Sequence, residues 1–252
     1  MRVQGYKTIG ILGGMGPEAT LCLFQLIISN TEASSDQEHL PVVICNLPQI
    51  PDRTRHIVYG EDSPLPGLQK GAETLKKAGA DFVIISCNTA HYYLPSLREQ
   101  VDIPFIDMIA VTAAYVASRG VGKAGILATT GTVNSGLYQK AFADSGVELL
   151  VPDTFSQESL VMEAVYGAEG VKAGFRDKPL RLLREAVGML REKGAECIIG
   201  GCTEIPLVLD NDSTGMPFVN SMELLAREAI VAAGGVCHVK AEIINSRENR
   251  DN

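Results

Sequence analysis

Two cysteines carry the most distinctive chemistry in this chain. Cys87 closes the apolar run DFVIIS (81–86) and is followed by Asn88 and Thr89; Cys202 closes ECIIGG (196–201) and is followed by Thr203 and Glu204. A free thiol with a pKa of ~8.5 is only a few per cent ionised at neutral pH, and the small thiolate fraction is the reactive one. Inverting a stereocentre by proton transfer needs a base on one face of the carbon and an acid on the other. Two equivalent thiols meet that need, because the reverse reaction uses the same groups with their roles exchanged. Two thiolates placed close together repel, so one thiolate and one thiol is the expected resting pair. The cap-forming residues after each cysteine predict helix amino ends, which favour a thiolate by ~0.3–1 kcal/mol.

The elements that must position these thiols are written twice. Gly10-Ile11-Leu12 recurs as Gly125-Ile126-Leu127, Gly79-Ala80 as Gly194-Ala195, and Cys87 as Cys202, each at an offset of 115 (125 − 10, 194 − 79, 202 − 87). Pro104-Phe105 recurs as Pro217-Phe218 at an offset of 113 (217 − 104). Strand-like runs fall at 8–12, 41–47, 81–86, 103–107, 123–128, 147–151, 196–201 and 216–220. Between several of them lie amphipathic helical stretches such as PLPGLQKGAETLKKAG and KPLRLLREAVGMLREKG, whose leucines recur three or four residues apart. Strands alternating with helices predict parallel sheets covered by helices. The expected architecture is α/β: two duplicated domains, 1–112 with 217–240 and 113–216, the site lying in a cleft between them, and a polar tail, 241–252, without fixed structure. Cys87 and Cys202 then end equivalent strands, where ligands of open parallel sheets sit.

Composition narrows the partners. The 252 residues carry a formal charge of −8, which argues against nucleic acid and anionic membranes. No run approaches the ~20 apolar residues of a membrane span. Six cysteines at irregular spacing include no C-x-x-C pair and no zinc-like cluster, so a reduced, cytoplasmic protein without a metal is expected. Gly14-Met15-Gly16-Pro17-Glu18-Ala19 fits a dinucleotide fingerprint after a strand. Glu18 would, however, put negative charge where a pyrophosphate sits, and PVVICNL ends without the acid that holds a ribose. Those glycines fit better as a close backbone approach to a small ligand. Arg53, in a proline-bounded loop after a strand, suits bidentate recognition of a carboxylate, with Arg55 as its rival. His91, four residues after Cys87, either tunes that thiol or packs.

The strings Ser86-Cys87-Asn88-Thr89-Ala90-His91 and Gly200-Gly201-Cys202-Thr203-Glu204 resemble the two signature motifs of the aspartate/glutamate racemases that work without pyridoxal phosphate. GILGGMGPEAT, Pro48-Gln49-Ile50-Pro51-Asp52-Arg53-Thr54 and the Thr129–Thr132 loop carry the same resemblance, which extends to about residue 235. Glutamate racemases usually have His after the second Cys-Thr; Glu204 stands there in this chain, as in the aspartate branch. The resemblance implies that Cys87 and Cys202 are the acid/base pair and that no cofactor takes part. It implies that Met15, Asn88, Thr89, Thr130, Gly131, Thr132 and Thr203 surround the substrate, an anionic amino acid. It assigns the distal carboxylate to Arg53 with help from Lys172, and a homodimer to the assembly.

Aspartate is the favoured substrate on this reading. Glutamate or broad amino-acid racemisation is the nearest alternative. Related two-cysteine reactions, those of hydantoin racemases, maleate isomerases and arylmalonate decarboxylases, keep the fold and change the chemistry. A third reading makes the protein a non-catalytic binder in which Cys87 and Cys202 form a reversible disulfide.

Overall fold

The computed structural model describes residues 5–238; the expected unstructured tail at 241–252 lies outside them. The chain divides into two compact units, one built from residues up to Met108 together with the segment from Met222, the other from Ile109–Ser221.

The first unit contains a three-stranded parallel sheet with order β2-β1-β3, from β1 (Ile9–Gly13), β2 (Val42–Asn46) and β3 (Phe82–Ile85). Alternation along β1 sends Ile9 and Ile11 to one face, against Leu23 and Ile27 of the Pro17–Asn30 helix and Leu225 and Ile230 of the Ser221–Ala232 helix. Leu12 points to the other face, against Leu68 and Leu75 of the Leu65–Lys77 helix. The second unit holds a four-stranded parallel sheet with order β5-β4-β6-β7, from β4 (Lys123–Leu127), β5 (Glu148–Leu150), β6 (Cys197–Gly200) and β7 (Phe218–Asn220). Leu183, Val187 and Leu190 of the Asp177–Glu192 helix pack on it with Leu127, Ile198 and Phe218. Among the described residues no helix is long and apolar enough to cross a membrane.

The duplication read from the sequence is carried into the hydrogen-bond register. Ile9, Gly10, Ile11 and Leu12 pair with Phe82, Val83, Ile84 and Ile85; Ala124, Gly125, Ile126 and Leu127 pair with Cys197, Ile198, Ile199 and Gly200. Both partners of each pair are displaced by 115 (124 − 9, 197 − 82). The repeated glycines have a packing reason. A Cβ on Gly10 would lie 3.4 Å from Leu75 Cβ, and one on Gly125 would lie 3.2 Å from Leu190 Cβ. Glycine lets each helix settle its fully buried leucine onto the central strand, a burial worth roughly 2–3 kcal/mol per leucine. An acidic residue at the start of the next strand is repeated too: Asp81 accepts from Thr8 N at 2.7 Å, and Glu196 accepts from Lys123 N at 3.0 Å.

Two expectations are adjusted. Residues 103–107 form an isolated bridge, Val83 with Phe105, instead of a strand, held by Val83 N to Pro104 O and Ile106 N to Val83 O. The return to the first unit falls at Met222 and not at 217, because Phe218–Asn220 pairs with β6 and extends the second sheet.

Candidate active site

The residues singled out in the first unit gather at the carboxyl ends of its strands. After β1 the chain turns at Gly14, whose φ of +98° is open to glycine, and the turn lies flat on the backbone of Leu47 after β2. Thr20 fastens this turn: its Oγ1 accepts from Gly14 N at 2.9 Å and donates to Gly16 O at 3.0 Å. That leaves the Ser86 hydroxyl as donor in the 3.0 Å contact between Ser86 and Thr20, which ties the residue before Cys87 to the turn. Thr20 is absent from the expected site. A threonine in the first turns of a helix that starts Gly-Pro-Glu was the available signal.

Cys87 is a free thiol, 5% exposed, with Asn88 and Thr89 buried beside it. His91 does not act on its sulfur. His91 Nε2 accepts the Met108 N–H at 3.1 Å, so the ring proton sits on Nδ1 and is donated to Cys87 O at 2.9 Å. Burial pushes the imidazole pKa down, outweighing nearby Asp107 and keeping the ring neutral. His91 therefore anchors the backbone that presents Cys87.

Arg53 is buried, against the usual fate of a loop arginine. It opens the Arg53–Tyr59 helix, capped by Asp52, and its guanidinium donates to Met15 O at 2.9 Å and Pro51 O at 3.1 Å. Arg53 thus clasps the β1 turn to the loop after β2 and places Met15. Arg55, the other candidate, is exposed and pairs with Glu61 on the surface at 3.4 Å. Tyr93 is a further buried group that the sequence did not announce. Desolvation pushes its phenol pKa well above the ordinary value, the neighbouring Arg53 pulling the other way. Its hydroxyl has no hydrogen-bond partner among the described residues.

In the second unit, Thr129 caps the short Thr130–Asn134 helix by accepting from Thr132 N at 3.3 Å. Thr130 and Gly131 lie in the same turn, which is gripped by a π-helical segment, Gln157–Met162. Gln157 Nε2 donates to Ala128 O at 2.9 Å, and Thr130 Oγ1 donates to Glu158 Oε1 at 2.6 Å. Gln157 Oε1 is buried with no partner among the described residues. Wide turns of this kind recur at functional sites, though no periodicity in the sequence marks one.

Cys202, also 5% exposed and free, sits at the end of β6 in a different electrostatic setting from the one expected. The turn after it, Ile205–Leu207, is a short 3-10 segment, not a helix whose dipole could draw out a thiolate. Its neighbour is a carboxylate: Cys202 Sγ donates to Glu204 Oε2 at 3.0 Å, and Thr203 Oγ1 donates to the same oxygen at 3.2 Å. Burial first, then the Glu204 charge, hold the Cys202 pKa well above the usual thiol range. Glu204 is 4% exposed and remains ionised. Desolvation alone would raise its pKa, but the ammonium of Lys172, 2.6 Å from Oε1, reverses the sign. Lys172 also lies 5.4 Å from the centre of the Tyr166 ring. Instead of standing alone in a glycine-rich loop, Lys172 is the outer end of a line Lys172–Glu204–Cys202.

The chain matches the Asp/Glu/Hydantoin racemase family over residues 12–229. It is similar to the aspartate racemase of Picrophilus torridus, with 29% identity, a TM-score of 0.79, and coverage of 94% of this chain and 97% of that one. It also resembles the broad specificity amino-acid racemase RacX of Bacillus subtilis (strain 168), 27% identical over 228 residues, 88% of this chain and 96% of the relative. A glutamate racemase of Desulforudis audaxviator is 31% identical over 164 residues, covering 62% of this chain and 57% of its own length.

Proposed function

The chain belongs to the Asp/Glu/hydantoin racemase family, and from that premise we propose that it interconverts L- and D-aspartate, with Cys87 and Cys202 as the two proton-transfer groups. One thiolate removes the α-proton, and the other cysteine, as a thiol, delivers a proton to the opposite face. Each turnover leaves the thiolate on the other sulfur, so the free enzyme has two protonation forms, one for each enantiomer.

The observation that carries the reading is the equivalence of the two thiols. Each is buried, free, and set one residue beyond matched positions, since Ser86 N and Gly201 N bond Leu12 O and Leu127 O at 3.1 and 2.8 Å. A quasi-symmetric reaction is the chemistry for which such a repeat has a use. Aspartate is favoured by the similarity to an aspartate racemase across nearly the whole chain, and by Glu204 following the second Cys-Thr. The broad specificity relative supports a wider amino-acid range as the second reading.

Proton NMR of L-aspartate in D2O with the reduced protein and no added cofactor tests both. Loss of the α-proton signal with appearance of the D form is expected. Exchange with glutamate or neutral amino acids at equal kcat/KM would move the conclusion to the broad reading. No exchange with any amino acid would overturn it.

A further inference from the structure

We propose that Lys172 is an anion-released latch on a proton relay: when a substrate carboxylate engages its ammonium, Glu204 takes the Cys202 proton through their 3.0 Å contact. This rests on the racemase reading and adds to it a reason for Cys202 to become a base only when an anionic substrate is present.

Three features of the second unit lead here. The Cys202 thiol already points its proton at Glu204 Oε2, so the path needs no rearrangement. Glu204 is buried, yet it stays ionised because Lys172 stands 2.6 Å from its other oxygen. The Lys172 side chain is 25% exposed against 6% for Glu204, so it is the member of the line that an incoming anion can reach. An anion that draws the ammonium away weakens the largest of the influences that offset Glu204's desolvation, and the carboxylate becomes a stronger base. The Sγ–H bond breaks, an O–H bond forms on Oε2, and the negative charge passes from carboxylate to sulfur with no net change. Charge on the pair is conserved, so the shift depends on which member lies nearer the lost cation, and that is Glu204. Glu204 is a positioning residue, acting on substrate only through Cys202.

The sign of the effect separates this from ordinary electrostatics, in which a bound anion suppresses a nearby thiolate. Thiolate ultraviolet absorbance is followed in the Cys87→Ser protein at neutral pH while succinate is added, a dicarboxylate with no ammonium and no reaction. The expected result is ~5-fold more thiolate at saturation, a coupling at the low end of those between linked sites. The rise should vanish in Cys87→Ser/Cys202→Ser and in Cys87→Ser/Glu204→Gln, with succinate still binding to the latter by calorimetry. Succinate binding with unchanged or falling thiolate signal, in a protein whose wild type racemises aspartate, overturns the relay alone. Failure of both succinate binding and aspartate racemisation overturns the relay together with the function it rests on.

Discussion

Replacing Lys172 by Met removes the ammonium that lies 2.6 Å from the buried Glu204, while keeping a side chain of similar length. At a separation of 2.6 Å the gross attraction is about 6 kcal/mol for an effective dielectric constant near 20. Part of that is returned, because the free lysine regains its hydration and mobility. Breaking a buried pair costs ~3–5 kcal/mol, and the partial exposure of Lys172 places this case at about 3 kcal/mol. For a chain of this size that corresponds to a fall of ~6–12 °C in Tm. The pH dependence is the sharper signature. In the native protein Glu204 has a lowered pKa, so its contribution is present above the unfolded carboxylate pKa of ~4.3 and is lost only in more acid solution. In Lys172→Met the largest influence opposing the desolvation of Glu204 is gone, leaving the hydrogen bonds from Cys202 and Thr203, and its pKa rises. Glu204 then escapes the penalty by binding a proton as the pH falls. The stability deficit should be largest at neutral pH and shrink steadily towards pH ~5. Urea unfolding of both proteins across that range measures it, and adding Glu204→Gln should recover much of the loss. A deficit that is the same at every pH would refute the electrostatic reasoning and leave only lost packing against Tyr166.

Serine at either Cys87 or Cys202 should lower kcat for racemisation by ~10²–10⁴-fold with little change in Tm, read by polarimetry and calorimetry together. Wild-type activity in Cys202→Ser would end the two-thiol reading. The first unit should lose stability as the pH falls below ~6.5, the unfolded histidine pKa, since buried His91 resists the proton that the unfolded chain accepts. His91→Gln should flatten that part of the profile, and an unchanged slope would count against the neutral, doubly bonded imidazole. Gly14→Ala should destabilise by ~3 kcal/mol or more, because the new Cβ would fall on Leu47 backbone, its carbonyl oxygen 2.7 Å away, in a left-handed conformation that disfavours side chains. A variant with native Tm would show that the β1 turn can shift without cost.

The repeat alone determined much of the fold. Gly10 and Gly125, Gly79 and Gly194, and the two cysteines could be aligned because local rules act the same way in both halves: glycine where a helix presses on a strand or φ is positive, apolar runs where strands are buried. The thiols and the loops around them were legible for that reason. The partners of each charge were not, because they depend on what other elements bring within 3 Å. Arg53 could be read as a loop cation, but only folding shows its guanidinium closed on Met15 and Pro51. His91 lay at a spacing that suits either a tuning or a packing role, and the Met108 amide decided between them. Lys172 and Glu204 are 32 residues apart, and nothing in their separate neighbourhoods announces a pair. Periodicity is a local property that a sequence must write out, whereas burial and charge pairing arise between distant segments and are set only when the chain has packed.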